Sequence, residues 1–379
     1  MTISMNAENN KKVRPGVALL VVLFIVMAIT ILSLGFVTRS DIELACGQNM
    51  LLRTQMDYLA ESGLEHARGL ILNPQDVSSE YEYFMDATAQ QLVGDSRDYY
   101  DLKVVLDDSD PTNRCNYIID CNAYRLEGGE KIGRSDIRAT LRLDPCIAYW
   151  VGSNTTVWPQ ITVNGDVYCG GTLTNNSAIN GDVFAVETIS ETGTTTGRKN
   201  ESVTPSYPVT WPSLVIASFE PIMEVNIPQN IPPGSFDGIC YSAVDVNIPG
   251  NVTINGTLVV NGDLTISGLN NVITAGKNFP ALVVGGQVLM KDSSSLEING
   301  LAQIAGPVTF DPSATSSSIQ VIGGLFINSG GIEEITSGSV IITAAPEKAS
   351  IEIWADGTAE RWSPAAGAFF KSITRPPAE

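Results

Sequence analysis

VALLVVLFIVMAITILSLGFVTRSDIELACGQNMLLRTQMDYLAESGLEHARGLIL, Val17 to Leu72, is the stretch whose reading organises the whole chain. Its first part, Val17 to Val37, carries no charge. At about 1.5 Å rise per residue it covers about 30 Å, the thickness of a bilayer's hydrocarbon core. Lys11, Lys12 and Arg14 flank it on the N-terminal side, which places that end in the cytoplasm and everything after Arg39 outside. The apolar run is longer than that of a cleaved secretory signal, and Thr38-Arg39-Ser40-Asp41 is a poor cleavage site. From Ser40 onward no proline occurs before Pro74, and Ile42, Ala45, Leu52, Met56, Leu59, Gly63, Ala67, Leu70 and Ile71 recur at helical spacing. The pattern predicts one helix from Val17 to Leu72, half in lipid and half amphipathic, stopped at Asn73-Pro74. The amphipathic half needs a β-sheet to cover its apolar stripe.

This layout resembles the N-terminal segment of the type IV pilin superfamily. The residues that carry the resemblance are the basic leader ending in Gly16, the apolar Val17–Val37 and the downstream helix with Ala60-Glu61-Ser62-Gly63. Gly16, Ala18, Leu19 and Leu20 match most closely the PilX-like minor pilins and GspK-like tip pseudopilins. The resemblance covers residues 11–72. It implies cutting between Gly16 and Val17 by a prepilin peptidase, insertion in the cytoplasmic membrane, and other pilin or pseudopilin subunits as partners. Position five after that cut is Val21, where major pilins have a glutamate, and this favours a tip or initiating subunit. Pro15 stands where the family has Arg or Lys.

A length of 379 residues with only 17% charged side chains and a formal charge of −19 implies more than one domain and excludes nucleic acid as a partner. Domain boundaries fall at a leader 1–16, the helix 17–72, a small α+β head 73–150, a mainly-β unit 151–345 and a C-terminal hairpin and tail 346–379. In the head, strands at 99–106, 115–127 and 131–143 are expected, the last two joined at Gly128-Gly129. That hairpin brings Cys115 towards Cys146 as a candidate disulfide. Cys115 and Cys121, six strand steps apart, sit about 20 Å from each other and do not pair. Asp107, Asp108 and Asp110 superficially resemble a calcium loop, but the glycine and distal glutamate of such a loop are missing, and ordinary turn chemistry is preferred.

From Ile161 the texture changes to short Val, Ile, Leu and Thr runs punctuated by Asn-Gly and Gly-Gly: Asn164-Gly165-Asp166, Asn180-Gly181-Asp182, Asn255-Gly256, Asn261-Gly262-Asp263, Gly285-Gly286, Asn299-Gly300 and Gly323-Gly324. A parallel β-solenoid, similar in texture to bactofilin-like solenoids, is the leading fold; an antiparallel β-sandwich is the alternative. Residues 198–235 are proline-rich. They also hold Trp211, Leu214, Val215, Ile216 and Phe219, so an extended strap across the solenoid is expected, not a free linker. Trp354, Trp362, Phe369 and Phe370 are expected to cap the last coil.

No cofactor or metal is implied beyond the weak calcium motif. His66 is the only histidine, so no Ser-His-Asp or Cys-His arrangement exists without it. Between Ile161 and Ala345 the only basic residues are Arg198, Lys199, Lys277 and Lys291, too few and too scattered for a lyase acting on acidic sugars. Asp166 with Asp182 is the pair that a carboxylate-based hydrolase would use. The readings in order are therefore a filament subunit displaying a solenoid for a surface or sugar ligand, a membrane-tethered adhesin or envelope scaffold, and a tethered polysaccharide-active enzyme. The first two involve no catalysis.

Overall fold

The computed structural model describes residues 15–72, 87–94, 96–107, 109, 115–276, 278–313, 316–355 and 358–375. Helix α1 runs without a break from Pro15 to Leu72. Proline suits its first turn, where an amide N–H has no partner within a helix. Two hydroxyls in and beside its apolar part are satisfied on the helix itself: Thr30 and Thr38 donate to the carbonyls of Val26 and Leu34, at 2.8 and 2.9 Å.

The head is a five-stranded antiparallel sheet. It contains β1 (Ala87–Gln90), β2 (Asp98–Leu106), β3 (Asn116–Glu127), β4 (Glu130–Leu143) and, beside β4, the C-terminal strand Ala368–Thr374. Gly128 and Gly129 turn the β3–β4 hairpin with φ of 60° and 90°, a conformation open to glycine at little cost. Alternate residues of β2 (Tyr100, Leu102, Val104), β3 (Tyr117, Ile119, Cys121) and β4 (Ile137, Ala139, Leu141) are buried. Against them α1 sets Met56, Leu59, Ala60, Leu64, Ala67 and Ile71. Gly63 lies at the closest approach, where a methyl group would meet the Cys121 sulfur and the Tyr100 ring. Arg375, just past the C-terminal strand, grips the helix through Asp57 (3.4 Å) and Glu61 (2.6 Å).

Two expectations change here. The apolar stripe of α1 meets the sheet only from Leu52 onward; Ile42, Leu44, Met50 and Leu51 are exposed. Among the described residues the C-terminal segment caps no coil. Phe369 and Phe370 belong to the strand beside β4, and Trp362 packs edge-on against Phe326, with ring centroids 5.0 Å apart. The side chain of Trp354 lies outside the described residues.

From Ile147 to Ala344 every strand pairing is parallel, so the unit is a β-solenoid and the sandwich alternative is excluded. Its coils do not stack in chain order. The chain enters at Ile147–Val151 and winds outward through Ile161–Asn175 and Ala178–Glu191 to Lys199–Asn200. It then crosses to the opposite end and winds back from Gly234–Ser242 to Gly338–Ala344. The two halves meet in one shared coil. Gly338–Ala344 pairs with Ile161–Asn164, and Ile147–Val151 pairs with Leu325–Ile327. A disulfide between Cys115 and Cys146 ties the start of β3 to the first solenoid strand, as the hairpin geometry predicts.

The crossing segment is the expected strap. It lies over a row of outward-facing rings, with Trp211 against Trp150 (5.0 Å) and Trp150 stacked on Tyr168 (5.1 Å). Further on, Phe219, Leu214 and Ile216 cover Tyr241, Val259 and Val283. The Trp150 and Trp362 indoles donate to the strap carbonyls of Val209 (3.3 Å) and Thr210 (3.0 Å). Polar tips of buried aromatics are thereby satisfied by the segment that covers them.

Several glycines sit inside bent strands and not in hairpin turns. Gly238 registers with Gly256, and Gly300 with Gly323. At Gly256 and Gly323 φ is 150° and 149°, and an added methyl would collide with the carbonyl oxygen of the glycine one coil below. Stacked corners therefore demand glycine twice over, for conformation and for space.

Two of the glycines of α1, Gly63 and Gly69, separate docking from propensity. Gly63→Ala is expected to lower stability by about 1–3 kcal/mol through overpacking against Cys121. Gly69→Ala has open space around it and is expected to raise stability by about 0.5–1 kcal/mol. Thermal unfolding of both variants checks the opposite signs.

Candidate functional site

The largest exposed apolar surface belongs to α1. Every described side chain from Ala18 to Leu51 is exposed. This is the one helix among the described residues long and apolar enough to cross a membrane. At about 1.5 Å per residue those 34 positions span about 51 Å, well beyond the about 30 Å of a bilayer core. The surplus, residues 38–51, holds the exposed pair Arg39–Glu43 (2.8 Å) together with Ile42, Leu44, Met50 and Leu51. Val21 is half-exposed on the apolar part, and Gly16 and Val17 lie in its first turn, with side chains outside those described.

A second feature is a groove of about 540 Å³ where the two solenoid halves meet. The three-stranded side sheet ends at Thr155–Val157, and the four-stranded one is extended by a single bridge from Val308 to Ile332. The two never pair with each other. Asn154, Thr156, Thr172 and Thr174 line one wall and Glu333 and Glu334 the other. Trp158 closes an end, its indole N–H donating to the Ile332 carbonyl at 3.1 Å. Gly330 and Gly331, with φ of 81° and 63°, make the irregular turn that opens the gap. This wall of hydroxyls and carboxylates suits hydrogen bonding to a polar ligand.

The residues singled out for chemistry are placed as follows. Asp166 and Asp182 come together, but as rungs of a corner ladder. Asp166 accepts the backbone N–H of Cys146 and of Asp182, each at 2.7 Å. Asp182 accepts the backbone N–H and the Nε–H of Arg198, again at 2.7 Å. The same device recurs at Asp245 and Asp263, which take the N–H of Asp263 (2.9 Å) and Gln287 (3.0 Å). Each carboxylate thus satisfies the next coil's corner. Its spacing was readable: Asn164-Gly165-Asp166 and Asn180-Gly181-Asp182 lie one 16-residue coil apart. Burial pushes the Asp166 carboxyl up to about 6, against the pull of its two backbone donors. His66 Nδ1 lies 2.8 Å from the Tyr100 hydroxyl, pinned between helix and sheet. Asp107 accepts the Ser109 N–H at 3.1 Å, and these Ser109 contacts hold its carboxyl below the usual range. Asp108 and Asp110 of the calcium-like motif lie outside the described residues. No group of three or more metal-ligating side chains forms among the described residues.

No protein-family model and no curated protein matches the sequence. Among solved structures, the chain is similar to the competence-associated pilin ComZ from Thermus thermophilus, with 9% identity over 77% of this chain and 86% of that one. The TM-score is 0.26, and the likeness carries no argument.

Asp166 generates a pH signature. Its carboxyl rises from 3.8 to about 6 on folding, so between about pH 4 and 6 the folded chain holds a proton that the unfolded chain releases. Its contribution to stability therefore falls as pH rises through that window. Compared with Asp166→Asn, the wild-type melting temperature is expected to decline from pH 4 to 6; parallel curves would show that burial does not perturb this group.

Proposed function

We propose that the chain is a pilin- or pseudopilin-like subunit, inserted by α1 into a membrane and then a filament, that displays its solenoid outward and catalyses no reaction. The observation that carries this reading is the mismatch between the exposed length of α1 and a bilayer. A plain anchor needs about 30 Å of apolar helix. Here the exposure continues through Ile42, Leu44, Met50 and Leu51, beyond the membrane and before the head. Outside lipid, a helix face of this kind is stable only when protein covers it. In a filament the helices of neighbouring subunits supply that cover.

Processing fits the same scheme. A prepilin peptidase cutting between Gly16 and Val17 frees the helix for assembly, with the N-terminus cytoplasmic beforehand and the head outside. Val21 at position five places no carboxylate in the apolar core to neutralise a neighbour's terminal amine, which suits a subunit at the tip or at the start of a filament. Gly63 of the Ala60-Glu61-Ser62-Gly63 motif lies at the closest approach of helix and head, where only glycine fits. Adhesion or partner binding falls to the solenoid, whose seam groove offers polar contacts for a surface or sugar ligand.

The N-terminal sequence of the protein recovered from bacterial membranes tests the proposal. The expected terminus is Val17 in the wild type and Met1 in Gly16→Phe. An intact Met1 in the wild type would sink the filament reading and leave a membrane-tethered adhesin or scaffold. A terminus after Val37 would leave a secreted solenoid.

A further inference from the structure

The ends of a solenoid are where a second copy can continue the stack, because an end coil exposes both its core and a row of unpaired backbone groups. One end here is the coil made by Ile189–Glu191, Thr194–Thr195 and Lys199–Asn200. Its inward positions follow from the register. Val157 stacks on Asn175, and Asn175 on Glu191. Val163 stacks on Ile179, and Ile179 on Thr195. Val167 stacks on Val183, and Val183 on Lys199. The second and third columns are apolar within the rod, the first turns polar one coil earlier at the buried Asn175, and all three end in a polar or charged residue.

The polar groups are joined into one network. Glu191 Oε1 accepts from Asn175 Nδ2 at 3.1 Å and from Thr195 Oγ1 at 2.5 Å. Lys199 Nζ donates to the other carboxylate oxygen. Asn175 is fully buried, and the Glu191 side chain is only 15% exposed. An ion pair lying across the mouth of a hydrophobic core must be stripped of water before another coil can sit on it, and an apolar coil offers no compensation.

The opposite end is closed by other means. Val225–Asn226 pairs with Cys240–Tyr241, and Ile227 and Ile231 fill the core beneath that coil. The outer turns carry the exposed Pro228, Pro232 and Pro233. Proline has no N–H to offer an added strand.

We propose that both ends of this solenoid are built as stops, and that the Glu191–Lys199 pair is a plug that keeps a second copy of the chain from stacking on the last coil. The proposal is independent of the filament reading, since it concerns only contacts between solenoids. The two stops differ, so they are separable by mutation. Replacing the plug by Glu191→Val with Lys199→Val extends the Val167–Val183 column to the end and puts an apolar side chain over Asn175 in the other. The product is then limited to a pair of rods joined at like ends, because the proline end still closes each partner.

The test compares the full chain with the double variant in the same detergent, by light scattering after gel filtration and by negative-stain microscopy. The expected result is a doubled protein mass relative to the wild type, with rods joined at one end. A folded variant with wild-type mass, or wild-type rods already joined end to end, would overturn the proposal. Circular dichroism reports folding. If the valine pair unfolds the coil, Glu191→Gln with Lys199→Met keeps side-chain shape while removing both charges, and is held to the same two outcomes. Filaments longer than pairs would overturn the assignment of the proline end as a stop.

Discussion

The structure depends on the pairing that closes its shared coil. Gly338–Ala344 lies beside Ile161–Asn164, and Ile147–Val151 lies between Leu325–Ile327 and Asp166–Cys169. Through these contacts two separately wound pieces become one rod with one continuous core. Everything peripheral follows from that closure. The strap must run the length of the rod, since the first piece ends at one extremity and the second begins at the other. Ten strands stacked about 4.8 Å apart make a rod of about 45 Å. The strap residues 201–224 reach about 79 Å when extended, so the crossing is unstrained. Its aromatic and aliphatic residues bind it to the surface it crosses.

The same closure decides where the head sits. Both connections to the solenoid leave the shared coil, so the C-terminal strand returns to the sheet that β4 has just left, and Ala368 pairs with Leu143. Head and rod are thus interleaved in sequence and joined in one apolar core, with α1 and the antiparallel sheet on one side and the parallel coils on the other. The disulfide between Cys115 and Cys146 and the corner carboxylate of Asp166 are gathered at this junction, where Asp166 accepts the Cys146 N–H.

Much of this was readable from residue types. Charge-free Val17–Val37 defines the exposed helix, Gly128-Gly129 the hairpin, and Trp211 with Phe219 among prolines the strap. The Asn-Gly texture favours parallel coils over a sandwich, and the parallel pairing of the strands decides between them. The order of the coils does not follow from that texture, because the decisive contacts join residues such as Thr162 and Ile341, which no local pattern links. The length per coil also hides the repeat. Steps of 16 residues near Asp166 and Asp182 give way to 24 between Leu264 and Val288. The aromatic residues at the C-terminus read as an end cap because an open coil needs one. The caps are instead made by Glu191 with Lys199, and by isoleucines beneath prolines, residue types that look like surface or turn when read alone. For the groove, Gly330-Gly331 gave a local turn signal, but nothing in the sequence shows that it faces Thr155 and Thr156.

The return of the C-terminal strand also sets how the molecule bears tension. A pull on the rod reaches the head through β4 and its neighbour Ala368–Thr374, which are loaded from the same end and in the same direction. The two strands are not peeled from each other. The load instead drives β4 lengthwise along β3, so the hydrogen bonds of their long register resist together instead of parting one at a time. The Cys115–Cys146 bond crosses that sliding plane, joining the β3 side directly to the rod. Oxidised, the neck carries force through covalent bonds on both strands; reduced, the same force falls on noncovalent contacts, chiefly the β3–β4 ladder.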